Sequence, residues 1–174
     1  DGNLRLHGIA IRGNYHALGR QFEDTVPCIG RSAVRQRDLE VVKVSNINEV
    51  FANNPIFTWK VTISNTGSWE ATFHEGQTIF KDELPAGPSY GVPEVRDAVD
   101  ITNEDNIQCA IAADILTCTV VGDDVTIDAN TGAYTFDFTV TPHKLGFVSS
   151  ELCQVDPDNN VIEADETNND CTDT

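Results

Sequence analysis

The run FTWKVTISNTG at residues 57–67 decides the fold class of this chain, because its side chains alternate between apolar and polar. Its apolar face carries Phe57, Trp59, Val61 and Ile63. Period-two alternation is typical of a β-strand that buries one face and leaves the other in water. The closing Asn-Thr-Gly is a turn signal. The run therefore predicts a half-buried strand that ends in a turn.

The same alternation returns at residues 134–141, where one face carries Tyr134, Phe136, Phe138 and Val140. Turn signals separate the shorter strand candidates, which lie at residues 39–45, 70–81, 115–121, 124–129, 146–155 and 160–164. No segment carries a convincing helical stripe. Many short strands with frequent turns predict an all-β fold, an immunoglobulin-like two-sheet sandwich with an N-terminal strand-bearing arm. Within it, Trp59 fits the buried tryptophan of a central strand.

Residues 1–37 differ from the sandwich that we predict at residues 38–174. An apolar strand here, whose alternation slips at Gly8 as at a β-bulge, carries Leu4, Leu6, Ile9 and Ile11. We predict a candidate donor strand at residues 3–12, followed by a linker rich in Gly and Arg. A loop of that length is uncommon inside a compact domain, which favours an arm with its own role. The alternative is a first strand of the same sandwich with a long loop after it.

The charge of the chain argues against a nucleic-acid partner, and its apolar pattern argues against a membrane span. Its 174 residues contain 11 Lys and Arg against 28 Asp and Glu, a formal net charge of −17. Phosphate contacts need cations, so we expect no nucleic-acid partner. No apolar run approaches the ~20 residues that span a bilayer, so we expect no membrane span. The charge is also uneven, since residues 1–43 carry +2 and residues 44–174 carry −19.

The five cysteines indicate an oxidising compartment. A chain that begins with Asp and contains no Met is typical of a secreted protein after signal-peptide removal. The absence of an Asn-x-Ser/Thr acceptor favours a prokaryotic source. We therefore predict a secreted protein, extracellular or on the cell surface. Short local loops favour disulfides between Cys109 and Cys118 and between Cys153 and Cys171, with other pairings left open by the spacing. Cys28 is then free or linked to another chain.

Two parts of the chain resemble surface-protein families. Residues 59–67 and 80–87, with the pair Cys109 and Cys118, resemble a repeat domain of bacterial and archaeal surface proteins that carries Asn-Thr-Gly and Asp-x-Leu-Pro-Ala-Gly. The tail VDPDNNVIEADETNN at residues 155–169 resembles the closing hairpin of the CARDB family, the cell-adhesion-related domain of bacteria. Both families are immunoglobulin-like sandwiches on cell surfaces, usually in tandem. The resemblance therefore implies a surface protein, here with a single copy and an added arm.

The acidic tail is the best candidate for a metal site. Asp156, Asp158 and Asn160 place oxygen ligands at alternating positions, and Glu163 follows closely. Hard oxygen clusters of this kind suit Ca²⁺, which is the candidate cofactor. An EF-hand does not fit, because Val161 stands where that loop needs Gly. The alternative is a solvated hairpin in which Asp and Asn side chains satisfy the turn backbone.

No catalytic constellation is recognised in the sequence. Residues 87–91 match G-x-S-x-G, but that elbow needs a helix after it, and here Pro93 follows with no helical pattern. We therefore expect a protein that is not an enzyme and assign no catalytic residue. Trp69, beside a turn, is the aromatic side chain that we expect to be exposed and able to stack on a sugar.

These features predict a structural subunit of an extracellular filament or surface fibre. The N-terminal strand of one copy inserts into the neighbouring sandwich by donor-strand complementation, so that copies polymerise head to tail. The subunit interface is predicted at Leu4, Arg5, Leu6, Ile9, Ile11 and Arg12. The basic head against the acidic body gives the contact its direction, and Cys28 is able to cross-link subunits. The alternative is a Ca²⁺-dependent adhesin or carbohydrate-binding module that binds a surface glycan, as a monomer or as a fragment of a tandem surface protein.

Overall fold

Short strands account for nearly all of the regular structure in the computed structural model, which describes residues 35–46, 56–143 and 152–171. In chain order the strands of those residues are β1 Leu39–Ser45, β2 Phe57–Asn65, β3 Ala71–Phe73, β4 Thr78–Glu83, β5 Ser89–Tyr90, β6 Glu94–Val99, β7 Ile101–Thr102, β8 Ile107–Ala112, β9 Ile115–Val120, β10 Val125–Ile127, β11 Ala133–Thr141, β12 Cys153–Val155 and β13 Asp170–Cys171. A 3₁₀ turn at Glu104–Asn106 precedes β8. Over these same residues, no helix has the length and apolar character needed to cross a membrane.

The first sheet is built around β2 and β11, the two strands with the clearest alternation. One side of β2 pairs with β1 and the other with β11, so that Trp59 stands opposite Phe138. The far side of β11 pairs with both β5 and β6. All of these pairings are antiparallel. Among the described strands, β1 and β6 therefore lie at opposite edges of this sheet.

The second sheet runs in the order β13-β12-β4-β9-β8, again with antiparallel neighbours. A small third sheet has the order β3-β10-β7. Within the described residues, β8 pairs with β9 alone. It is therefore an edge strand of the second sheet, as β6 is of the first.

The core lies between the two larger sheets. Phe80 of β4 meets Phe136 of β11 with their ring centroids 5.6 Å apart, so the inward faces of the sheets are in contact. Trp59 is fully buried, as predicted, and Phe57 and Phe138 approach it edge-on. Each buried apolar side chain of this size contributes about 1.5–3 kcal/mol. The prediction of an immunoglobulin-like two-sheet sandwich is confirmed.

The boundaries of two predicted strands are wrong, and those of a third are only partly described. Residues 70–81 form two strands, β3 and β4, because a turn with Gly76 at a φ of 82° interrupts them. Residues 160–164 form no strand, and Glu163 makes only an isolated parallel bridge to Arg37. From the candidate 146–155, only β12 is a described strand, and residues 144–151 lie outside the described residues.

The edge strands β6 and β8 were not predicted. Most side chains of β6 are exposed, and its sequence EVRDAV has no alternating apolar set. A strand of this kind forms because its backbone pairs with β11, a partner that comes from a distant part of the chain. Local patterning therefore contains no signal for it.

Candidate functional site

An open groove of about 350 Å³ lies between the edge strands β6 and β8. It is lined by Pro93, Val95, Ile107, Gln108, Tyr134 and Phe136. Tyr134 and Phe136 belong to β11 and are part of the buried core. The groove therefore lies over buried core side chains at the side where β6 ends the first sheet and β8 ends the second.

The β6 side of this groove is apolar and exposed. Val95, which lines the groove, keeps 56% of its surface exposed. Edge strands with exposed apolar side chains are templates for pairing with another strand, unless charge or a cover prevents it. Arg96, the basic residue of β6, is already paired with Glu94 and Asp137. The β6 edge therefore offers an added strand backbone groups for pairing and an apolar side chain for packing.

The Tyr134 hydroxyl is a polar group inside the groove wall. It is buried and has no hydrogen-bond partner among the described residues. Burial, followed by the charge of Asp105, raises the pKa of Tyr134 to about 12, so the hydroxyl is neutral at physiological pH and is able to donate or accept. An unpaired buried hydroxyl costs about 1–3 kcal/mol. A strand that enters the groove brings backbone groups able to satisfy it.

The predicted donor strand at residues 3–12 lies outside the described residues, together with the six predicted interface residues and Cys28. The arm therefore stays a prediction from sequence. Its last residues, Gln36 and Arg37, are described and contact the sandwich. The backbone N–H of Trp69 donates to the Gln36 carbonyl, and the backbone N–H of Ala164 donates to the Arg37 carbonyl. The change from arm to sandwich thus begins before residue 38.

Two disulfides stabilise the second sheet, with the pairing that the local loops predicted. Cys109 of β8 is bonded to Cys118 of β9, so the edge strand beside the groove is tied covalently to its neighbour. Cys153 of β12 is bonded to Cys171 of β13, which ties the acidic tail to the sheet.

The residues of the predicted Ca²⁺ site have other roles in the structure. Both oxygens of the buried Asp156 carboxylate accept main-chain N–H groups, at 2.9 Å from Asn160 and 2.7 Å from Val161. The Asn160 side-chain oxygen accepts from Gln77, and Asp158 is exposed on the turn. Among the described residues, no three His, Cys, Asp or Glu side chains form a group that could hold a metal ion. Asp156 therefore matches the alternative of a carboxylate that satisfies the turn backbone.

Glu163 fastens the tail to the start of β1. One carboxylate oxygen accepts the Leu39 N–H, and the other accepts the Asn169 side-chain amide at 3.2 Å. Burial raises the pKa of Glu163 to about 7, although these two hydrogen bonds act in the opposite direction and the charge of Glu166 adds to the rise. Glu163 therefore binds a proton more tightly in the folded chain than in the unfolded one.

We expect Glu163→Gln to flatten the pH dependence of stability. Because the folded pKa lies above the ordinary value of 4.5, the wild-type chain loses stability as pH rises from about 5 to 8. Proton linkage limits this loss of unfolding free energy to at most ~3 kcal/mol. Partial exposure of Glu163 and screening by solvent reduce it to about 1 kcal/mol. The glutamine has no charge to lose, and its amide is able to donate to the buried Asn169 oxygen, which has no partner among the described residues.

Urea unfolding at pH 5 and pH 8 measures this difference. Glu166→Gln is the matched control, because it removes the same charge three residues away on an exposed side chain. The Glu166→Gln variant should keep most of the wild-type difference in unfolding free energy between pH 5 and pH 8. A Glu163→Gln variant that loses as much stability between pH 5 and pH 8 as the wild type would contradict the assignment of this pH dependence to Glu163.

Trp69, the predicted sugar-stacking residue, is 37% exposed, and the Arg37 guanidinium lies 4.7 Å from its ring centroid. Its indole N–H donates to Glu70 at 3.0 Å. A cation over the ring competes with a sugar for that face. The glycan alternative and the Ca²⁺ site are checked by a glycan screen and by titration calorimetry with Ca²⁺.

Sequence reasoning missed a buried ion pair between the sheets. The Lys43 Nζ lies 2.6 Å from the Asp82 Oδ2, and both side chains have 0% exposure. A signal was present, because Lys43 continues the inward series Leu39, Val41 in β1. A charged residue at a position that alternation assigns to the core has a compensating partner across the core.

No protein-family model matches the chain, and no curated protein matches it. Among solved structures, it is similar to the crystal structure of the CARDB domain of a Pyrococcus furiosus protein, determined in complex with di-metal ions. That match has a TM-score of 0.40 and 15% sequence identity, and it covers 79% of this chain and 84% of the other. Similarity at this level concerns the fold alone.

Proposed function

We propose that this chain is a structural subunit of an extracellular filament or surface fibre, and that the groove between β6 and β8 accepts the N-terminal strand of the neighbouring copy. The observation that carries the proposal is the groove itself, where core residues Tyr134 and Phe136 line a gap between two edge strands. An added strand pairs its backbone with an edge and places its apolar side chains against the core. A copy that offers its arm to one neighbour and its groove to another makes a contact that propagates head to tail.

The length and pattern of the arm suit this groove. The strands β6 and β8 each have six residues, which corresponds to roughly 20 Å of extended chain. The candidate donor strand at residues 3–12 is long enough to run the whole edge. Its apolar side chains form two pairs, Leu4 with Leu6 and Ile9 with Ile11, and the alternation shifts by one residue at Gly8 between them. A β-bulge at Gly8 therefore keeps both pairs on the same face of the strand.

Charge favours the same arrangement. Arg5 and Arg12 lie at the two ends of the donor strand. Beside the groove, Glu104 and Asp105 lie in the 3₁₀ turn that precedes β8. Opposite charges at the rim orient the incoming strand and raise its association rate.

The two disulfides support an extracellular location. Disulfides persist in oxidising compartments, where they compensate for small cores. Four of the five cysteines are used within the described residues, which leaves Cys28 on the arm as the candidate for a link between subunits.

Deleting residues 1–13 should abolish polymerisation and leave folded monomers. In this proposal the donor strand supplies the contact between copies, whereas the buried core residues of the described part of the chain lie between positions 39 and 171. Negative-stain electron microscopy and light scattering measure polymer, and circular dichroism checks folding. Filaments of normal appearance from the shortened chain would exclude this mode of assembly.

Val95→Arg tests the groove, and Val42→Arg is its matched control. The two valines have nearly equal exposure, 56% and 55%, but Val95 lines the groove and Val42 lies on β1 at the other edge of the same sheet. We expect Val95→Arg to lower the polymer yield at least ~10-fold, about 1.4 kcal/mol per contact, and Val42→Arg to leave it unchanged. Equal yields from both variants would show that strand addition occurs elsewhere, and a selective loss with Val42→Arg would place it at β1.

A further inference from the structure

The ion pair of Lys43 and Asp82 joins the two sheets at the centre of the core. Lys43 belongs to β1 in the first sheet, and Asp82 belongs to β4 in the second. Their Nζ and Oδ2 atoms are 2.6 Å apart, and neither side chain is exposed to solvent. The amine and the carboxyl group are thus held in contact, away from water, by strands that are distant in sequence.

Aromatic rings form the surroundings of this pair. The Lys43 Nζ lies 3.8 Å from the Trp59 ring centroid and 5.9 Å from that of Phe138. Burial, together with the charges of Asp114 and Asp82, raises the pKa of Tyr90, so the phenol near the pair stays neutral. Burial removes the hydration that stabilises both ions in water. The neutral amine and carboxylic acid differ from the ion pair only in the position of one proton along the 2.6 Å hydrogen bond.

We propose that Lys43 and Asp82 condense to an amide bond that links the two sheets covalently. The ammonium gives a proton to the carboxylate, and the neutral Nζ attacks the Asp82 Cγ. A bond forms between Nζ and Cγ, and the bond from Cγ to the hydroxyl oxygen breaks. The second proton of the nitrogen leaves with that oxygen, so one water molecule is released. No oxidant, reductant or cofactor enters the balance.

The geometry favours this step in two ways. Contact between the reacting groups replaces a bimolecular encounter by an intramolecular one, which removes the entropic cost of bringing the amine and the carboxyl group together. The site is also closed to bulk water, the reactant of the reverse reaction. The product ties β1, the first described strand after the arm, to the middle strand of the opposite sheet. This proposal stands independently of filament assembly.

The mass of the purified full chain tests the proposal. After reduction and alkylation of the cysteines, we expect a mass lower than the sequence mass by one water molecule, and a proteolytic fragment in which the Lys43 peptide is joined to the Asp82 peptide. A chain at its full sequence mass, with Lys43 and Asp82 in separate peptides, would overturn it.

Two variants exclude other sources of the mass loss. Lys43→Arg keeps the positive charge but lacks the amine, so it should have its full mass; a water loss that persists there would identify a cyclic imide at Asp82 and overturn the cross-link. Asp82→Asn should lose ammonia instead of water if the amine attacks this carbonyl. The wild-type fragment map decides the question even if a variant fails to fold.

Discussion

We expect Asp82→Ala to lower the free energy of unfolding by about 3–5 kcal/mol. The substitution removes the carboxylate that compensates the Lys43 ammonium at a position with no access to water. A buried charge without its counter-ion destabilises the fold by much more than the intact ion pair stabilises it. Urea unfolding of the full chain, followed by circular dichroism, measures the difference. If the pair is joined by an amide bond, the same variant also loses that link, and the change has the same sign.

The double variant Lys43→Met with Asp82→Leu separates charge from packing. Both charges are gone, and apolar side chains of similar length fill the space, so we expect it to be more stable than Asp82→Ala. A double variant that is as unstable as the single one would show that the packing of these two side chains, rather than their charge, stabilises the core.

Trp59→Ala should lower the free energy of unfolding by about 3–5 kcal/mol. Trp59 is fully buried, and its ring contacts Phe57, Phe138 and Tyr90 as well as the Lys43 ammonium. The alanine leaves a cavity that these neighbours, held by strand pairing, fill only in part. It also removes the ring over which the ammonium lies, so the cost exceeds that of lost apolar area alone.

Trp69→Ala is the matched control for that measurement. It deletes the same side chain at a position that is 37% exposed, where the loss should stay below about 1 kcal/mol. Circular dichroism follows both variants in denaturant without relying on tryptophan fluorescence. Losses of equal size would mean that Trp59 is not the centre of the core.

The central strands could be predicted from sequence because their alternation is strong and their inward residues are large. β2 and β11 supply Trp59, Ile63, Phe136 and Phe138, and each is buried as its phase predicts. The disulfide between Cys109 and Cys118 followed from the same logic, since a short separation places both cysteines on neighbouring strands of one hairpin. These features depend on local spacing alone.

The candidate site depended on contacts that local spacing does not contain. β6 exists because a distant strand, β11, pairs with it, and the groove exists because β6 and β8 end their sheets on the same side. Asp156 and Glu163, which the spacing of oxygen ligands in the tail assigned to a candidate metal site, accept backbone N–H groups. A cluster of carboxylates in sequence does not determine which donors come within 3 Å in space.

By itself, the sequence determined that this chain is an acidic, disulfide-bearing β-sandwich, because alternation, turn residues and charge are properties of neighbouring positions. Only the tertiary structure decided that Lys43 and Asp82 meet in the core and that the buried Tyr134 lines an edge groove. Both depend on how two sheets face each other across residues far apart in the chain. That arrangement is set by the simultaneous burial of both inward faces, which no single segment specifies.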